Sequence, residues 1–261
     1  MSAPGPRTDR RGWLKGVFAG AGALWLAACD RISQSPKGRA ALASAEGLTK
    51  RAQRLVVDRK ALAREFSPDE ISADFRSNGS TNPTDAAYVA HVQDGFADWA
   101  LVIDGLVERP LSLSLAELRS QPSRTQITRH DCVEGWSDIA KWTGARLGPL
   151  LDKAGLKKEA RYIVLHCADN LGGTADASGR YYESIDLIDA YHPQTLLAYA
   201  MNDQPLPVAH GAPVRLRVER QLGYKQAKYV MRLEAVADFA HIAGGKGGFW
   251  EDRGYEWYAG I

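Results

Sequence analysis

Hydrophobic positions change their period along this chain. From Gln34 to Glu65, Leu42, Leu48, Leu55, Val56 and Leu62 recur near heptad spacing among Ala, Arg and Lys, which predicts a helical or partly ordered tether. Ser67 to Pro83 has no clean period and reads as an extended, loop-rich segment, with Asn78-Gly79 as a turn signal. Beyond Trp99 the pattern sharpens. Leu101 to Val107 reads as two short strands about an Asp104-Gly105 turn, and Ser114-Leu115-Ala116-Glu117 as a capping box opening a short helix. Thr125 to Cys132 predicts a strand, Leu147 to Ala154 a helix closed by Gly155, and Arg161 to Cys167 a β-branched strand. Leu196 to Asn202 is a strand ending in a turn. In Val214 to Val218, alternation puts Arg215 on the face opposite Val214, Leu216 and Val218. Strands and short helices alternate without a strict βαβ period. The expected fold class is therefore α+β, with mixed β-sheets, short peripheral helices and no internal repeat.

Charge is uneven. The 33 basic and 31 acidic residues give +2, but residues 1–28 hold Arg7, Arg10, Arg11 and Lys15 against Asp9, which leaves a body near −1. A near-neutral body without a basic stripe argues against a nucleic-acid partner. Asp9-Arg10-Arg11-Gly12-Trp13-Leu14-Lys15 matches a twin-arginine export signal. Its apolar run, Gly16 to Ala28, is too short and glycine-rich for a membrane span. Leu26-Ala27-Ala28-Cys29 resembles a lipobox, which predicts a lipid anchor at Cys29 on a membrane surface; the alternative is a chance cysteine beside an ordinary cleavage site. The expected organisation is a signal peptide over residues 1–28, a lipidated helical or flexible tether over 29–65 and a catalytic body over 66–261. Twin-arginine transport carries folded proteins, so it points to a cofactor-bearing redox protein facing the periplasm.

The three cysteines, at 29, 132 and 167, show no C-x-x-C spacing, and the six histidines show no i, i+4 pair, so zinc is set aside. Cys132 stands where a β-prone run breaks at Glu134-Gly135-Trp136, and Arg129 and His130 beside it would favour a thiolate. Most lone cysteines are packing or half of a disulfide. What raises Cys132 above that reading is resemblance. Cys132-Val133-Glu134-Gly135-Trp136, Lys141-Trp142-Thr143-Gly144 and Leu147-Gly148-Pro149-Leu150-Leu151 resemble the sulfite oxidase family of molybdopterin-dependent oxidoreductases. The likeness is greatest to its bacterial, twin-arginine-exported branch, which includes periplasmic methionine sulfoxide reductases.

That resemblance implies a sulfite-oxidase-type molybdopterin domain in which Cys132 is the one protein ligand to molybdenum. It implies that Glu134, Asn78 and Arg129 shape the substrate side, with Asn78 also approaching the cofactor. Cys167, His210, Arg215, Gln226, Ala227 and Lys228 would hold the cofactor, with His210 replacing an asparagine of the branch. Lys225 reads as a solvated neighbour, and the aromatic C-terminus as packing. The implied activity is oxygen-atom transfer to or from a small substrate: S- or N-oxide reduction, or sulfite-like oxidation. The chain has room for neither the C-terminal dimerisation domain nor the haem domain of some relatives, so a monomer supplied with electrons by a membrane-bound haem protein is expected. Two other readings remain open from sequence: a non-enzymatic lipoprotein module bridged by Cys132–Cys167, and a cysteine hydrolase using Cys132 with His130 or His166.

Overall fold

The computed structural model describes residues 35–173 and 179–261; the export segment and Cys29 lie outside the described residues. The chain divides into two compact units, Met1–Val56 and Val57–Ile261. In the first, helix α1 runs from Pro36 to Val56 and leaves Leu48 and Leu55 exposed. The expected tether helix therefore stops nine residues short of Glu65. Residues beyond it hydrogen-bond to the body: Ala63 N–H donates to Gln194 Oε1 at 2.7 Å and Phe66 N–H to Ile127 O at 2.9 Å. Among the described residues no helix is long and apolar enough to cross a membrane.

Two sheets build the second unit, the first mixed and the second antiparallel in each of its pairings. The first sheet contains β1 (Ala100–Gly105), β2 (Leu111–Ser114), β5 (Tyr162–Asn170), β6 (Arg180–Asp186) and β10 (Val230–Val236) in the order β2-β1-β10-β5-β6. Only the β1–β10 pairing in it is parallel. The second sheet runs β3 (Ser123–Asp131), β4 (Ser137–Arg146), β7 (Leu196–Met201) and β8 (Gln204–Pro205), with β9 (Arg215–Arg217) also paired to β7. Leu101 and Ile103 of β1, Ile163 and Leu165 of β5, and Leu233 of β10 share one core with Leu197 and Leu216 of the second sheet. Each such side chain contributes about 1.5–3 kcal/mol on burial. Helix α4 (Leu147–Ala154) buries Leu147, Leu150 and Leu151 in the same core and ends at Gly155, whose φ of 71° is the left-handed cap expected there.

Four short helices sit at the margins: α2 (Ala86–Gln93), α3 (Leu115–Arg119), α4 and α5 (Leu187–Ala190). The capping box of α3 is formed as its sequence predicts, Ser114 and Glu117 satisfying each other's backbone N–H groups. One expectation is corrected. Leu101 to Val107 is not two strands about a turn: β1 continues through Asp104 and Gly105 in parallel register with β10. Gly105, at φ 82°, lies so close to β10 that a Cβ there would stand 2.4 Å from Ala235 O. The glycine marks a close backbone approach, not a hairpin.

Ser67 to Pro83 crosses the second sheet as the extended segment expected, apart from one 3-10 turn at Pro68–Glu70. Ser72 locks the crossing: its N–H donates to Ile139 O at 3.0 Å while its Oγ accepts from Ile139 N–H at 3.0 Å. The crossing delivers Asn78 to the end of the sheet where the β3–β4 hairpin turns.

Candidate active site

Cys132 opens the β3–β4 hairpin turn. Its N–H donates to Trp136 O at 2.9 Å, and Gly135, at φ 86°, returns an N–H to Cys132 O at 3.0 Å. The break read at Glu134-Gly135-Trp136 is this turn, and glycine supplies the left-handed residue it needs. The thiol is 9% exposed and lies 3.8 Å from Glu134 Oε2, which accepts from Trp136 Nε1 at 3.0 Å.

Beside it is a cleft of ≈ 690 Å³ of empty space, open to solvent. Its walls include Asn78, Cys132, Glu134, Gln226, Ala227 and Lys228, drawn from three separated stretches of sequence. Lys228 Nζ does not stand free in it. It donates to the carbonyl oxygens of Asn78 (2.6 Å), Ala209 (3.1 Å) and Ser80, tying the Asn78 loop to the segment before β9. Ser77, next to Asn78, contacts His210 Nδ1 at 3.2 Å. Burial, with Arg215 and Lys228 adding, holds His210 down to about 4, so its ring is neutral at pH 7.

Arg215 and Arg217 are both fully buried, each with its guanidinium over the Trp142 ring, at 5.1 and 4.4 Å from its centre. Arg215 donates to His210 O at 3.1 Å and Gln226 O at 3.4 Å, and its Nε has no partner. Arg217 is held by Glu219 through contacts of 2.9 and 2.6 Å and donates to His130 Nδ1 at 3.1 Å.

One expectation about Cys132 is corrected and two alternatives fall away. Arg129 and His130 do not favour its thiolate: burial, with the Glu134 carboxylate adding, pushes the thiol up. Arg129 is half exposed and paired with Asp131 at 2.8 Å, and burial followed by Arg217 holds His130 neutral. Nor is there a Cys132–Cys167 bridge, because both are free thiols. The hydrolase reading fails on geometry as well. His130 Nδ1 is engaged by Arg217 and its Nε2 has no partner, while His166 Nε2 is engaged by Glu234 at 2.8 Å, so neither ring hydrogen-bonds the Cys132 sulfur.

Cys167 and Arg129 line other cavities. Cys167 lies in the core within β5, which continues past it to Asn170, and shares a second cavity with His166 and Tyr182. Arg129 borders a third with Arg64 and Glu219. Lys225, expected in solvent, is 1% exposed between Glu183 (2.5 Å) and Glu251 (2.6 Å).

Sequence reading missed Asp169, Tyr181, Trp250 and Tyr255, all on the cleft wall. Asp169 had a signal: a carboxylate near the end of an apolar strand. It is 3% exposed, its Oδ1 has no partner, and burial pushes it up to about 7 against the pull of Lys228. The aromatic tail gave none, since its rings also suit plain packing.

These atoms match what a molybdopterin requires: one soft sulfur ligand, then donors and acceptors along a polar groove. The sulfur is Cys132, and among the buried atoms without a partner Asp169 Oδ1 and Gln226 Oε1 belong to residues of the cleft wall.

Comparison with known proteins agrees. Residues 88–241 match the model of the oxidoreductase molybdopterin binding domain. A putative protein-methionine-sulfoxide reductase subunit of Azospira oryzae is 39% identical over 164 residues, 63% of this chain and 56% of that protein. The protein-methionine-sulfoxide reductase catalytic subunit of Xanthomonas axonopodis pv. citri is 33% identical over 172 residues, covering 62% and 51%. That of Campylobacter jejuni is 30% identical over 181 residues, covering 65% and 60%. The matched part thus spans about half the length of these relatives. The crystal structure of the sulfane dehydrogenase SoxCD from Paracoccus pantotrophus aligns at TM-score 0.47 and 26% identity, over 54% of this chain and 39% of that one. With two sheets, peripheral short helices and a cleft suited to the cofactor, the chain belongs to the sulfite oxidase family of molybdopterin-dependent oxidoreductases.

Proposed function

We propose that this protein reduces a neutral S- or N-oxide, a sulfoxide first among them, at a molybdenum ligated by Cys132. The observation that carries the reading is the charge of the cleft. Among the described residues its charged wall groups are Glu134, Asp169 and Lys228, and the one cation is engaged by three carbonyl oxygens. An anion such as sulfite would lose its hydration there and meet the Glu134 carboxylate with no free cation beside it, whereas a neutral oxide would face no such repulsion. The curated relatives bear the name of methionine-sulfoxide reductases, which fits the same class.

Bound in the cleft, molybdopterin supplies the two-electron exchange that oxide reduction needs. The chain's own residues do the rest. Cys132 offers the sulfur ligand at the hairpin turn. Glu134, exposed at the mouth and 3.8 Å from that sulfur, is placed to pass protons to the departing oxygen, which leaves as water after two electrons and two protons. Asn78 presents its amide from the tethered loop. Asp169, Gln226 and the Gln226–Lys228 backbone serve the pterin, and Arg215 fixes that backbone from behind by donating to Gln226 O. His210 stays a neutral bridge between the entry loop and β9. Arg129 and Cys167 act indirectly, through Asp131 and the β5 core.

Electrons come one at a time from a membrane haem protein, on the periplasmic side, with Cys29 as lipid anchor and the protein working as a monomer. The test is direct. Cofactor-loaded protein should oxidise a reduced viologen dye when methionine sulfoxide is added and should leave sulfite unchanged with ferricyanide as acceptor. Faster sulfite oxidation than sulfoxide reduction would reverse the assignment.

A further inference from the structure

The cleft has one wall that the matched family region does not supply. Trp250 and Tyr255 lie beyond residue 241, where the match ends, yet both face the cleft that holds Cys132 and Glu134. Their rings stack at 5.3 Å and 28°, and the Tyr224 ring meets Tyr255 edge-on at 5.2 Å. Tyr255 is 39% exposed, so this aromatic face is open from the solvent side.

Its attachment is unusual. Glu251, between the two rings in sequence and fully buried, reaches Lys225 at 2.6 Å, and Lys225 reaches Glu183 of β6 on its other side. Burial disfavours the Lys225 ammonium, but the two carboxylates more than offset it and its pKa rises. Trp257 closes the assembly, its ring 5.1 Å from Lys225 Nζ and its Nε1 donating to Ser184 Oγ at 2.8 Å. Tyr224 Oη donates to Glu256 O at 2.7 Å. Gly248, near the start of the segment, packs against this cluster with no room for a side chain, since a Cβ there would stand 2.0 Å from Glu251 Oε2. A charged group sealed among partners from two distant stretches stabilises one arrangement of those stretches and penalises the others.

We propose that Lys225 is a positioning residue whose contacts to Glu183 and Glu251 hold residues 247–258 as an aromatic specificity wall, which takes the apolar or aromatic substituent on the substrate's sulfur. The idea rests on the sulfoxide reading for its substrate and on the buried ion cluster for its geometry. Stacked rings select for π-bearing and polarisable groups beside the reacting centre.

Two arms test it on the full, cofactor-loaded chain. In the first, kcat/KM is measured for methyl phenyl sulfoxide and for dimethyl sulfoxide. Trp250→Ala should lower the ratio of the first to the second by about three- to tenfold, the range of one aromatic contact, chiefly through KM. In the second, hydrogen exchange is followed in Lys225→Met. Amides of residues 247–258 should exchange at least about tenfold faster while β3 and β5 keep their protection, as expected for a segment that opens locally. An unchanged substrate ratio in Trp250→Ala, or loss of molybdenum from that variant, overturns the wall, since the rings would then serve neither substrate or serve the cofactor. Unchanged tail exchange in Lys225→Met overturns the latch. Should that variant not fold, Glu251→Gln carries the same measurement. A wild-type protein that reduces neither sulfoxide overturns the parent reading and the substrate role of the wall together, and the exchange arm alone then decides the latch.

Discussion

Lys228 Nζ stands 2.6 Å from the carbonyl oxygen of Asn78, a residue 150 positions earlier in the chain. The ammonium joins the entry loop to the segment before β9, with Ser80 O and Ala209 O as its other acceptors. A lysine in a cofactor-family motif invites the reading of a phosphate clamp. Here its three N–H groups are engaged by backbone, and its effect on the cleft runs through the loop it holds.

Replacing Lys228 by Met should therefore loosen residues 77–81 before it changes anything else. Loss of charge-assisted hydrogen bonds to three carbonyls costs about 1.5–3 kcal/mol, softened by removal of a buried charge. Hydrogen exchange of the loop amides and urea unfolding of the cofactor-free protein check this. Lys228→Arg should not restore the loop, because a planar fork cannot aim at three carbonyls grouped about one point.

Asp169 gives a pH dependence of defined sign. Burial pushes its carboxyl up to about 7, so between pH 4 and 7 the folded chain keeps a proton that the unfolded chain has lost. The residue therefore costs no stability below its unfolded value, and the cost grows as pH rises toward 7 and stays beyond it. Lys228, brought down to about 7 mainly by burial and then by Arg215, faces Asp169 and offsets part of that cost. Asp169→Asn in cofactor-free protein should be more stable than wild type at pH 8 by about 1–3 kcal/mol, the gap closing near pH 4. Urea midpoints measured across that range give the slope; a gap that widens toward acid would contradict it.

The pair Arg217–Glu219 lies under the site with both side chains wholly buried. Gln126 Nε2 also donates to Glu219 Oε1 at 2.9 Å, and Arg217 continues to His130. Glu219→Gln leaves the guanidinium without its counter-charge and should destabilise the body by about 3–5 kcal/mol. The urea midpoint should fall with the slope unchanged. A midpoint shift worth less than about 1 kcal/mol, as for an exposed pair, would show that water reaches the site.

Local signals carried much of the fold. The capping box at Ser114, the glycine stop at Gly155 and the β-branched run at Tyr162 each act within a few residues, and each element formed where its residues indicated. Gly105 misled because the same dipeptide serves a hairpin and a close strand approach, and only β10, some 130 residues later, distinguishes them. Lys225 misled for a related reason. Its polarity suggested solvent, but its partners Glu183 and Glu251 are 42 and 26 residues away. In the site, Cys132 and Glu134 were legible because hairpin turn and chemistry coincide in five residues. Asp169 and the Trp250–Tyr255 wall were not, since their meaning arises only when β5 and the tail converge on one cleft.

The central claim is a bond from the Cys132 sulfur to molybdenum, and X-ray absorption at the molybdenum edge reads it most directly. Wild-type protein and Cys132→Ser, both loaded with cofactor, are compared in sulfur coordination. The account predicts one fewer sulfur neighbour in the variant, with its place taken by a lighter atom. An identical sulfur count in the two would contradict it.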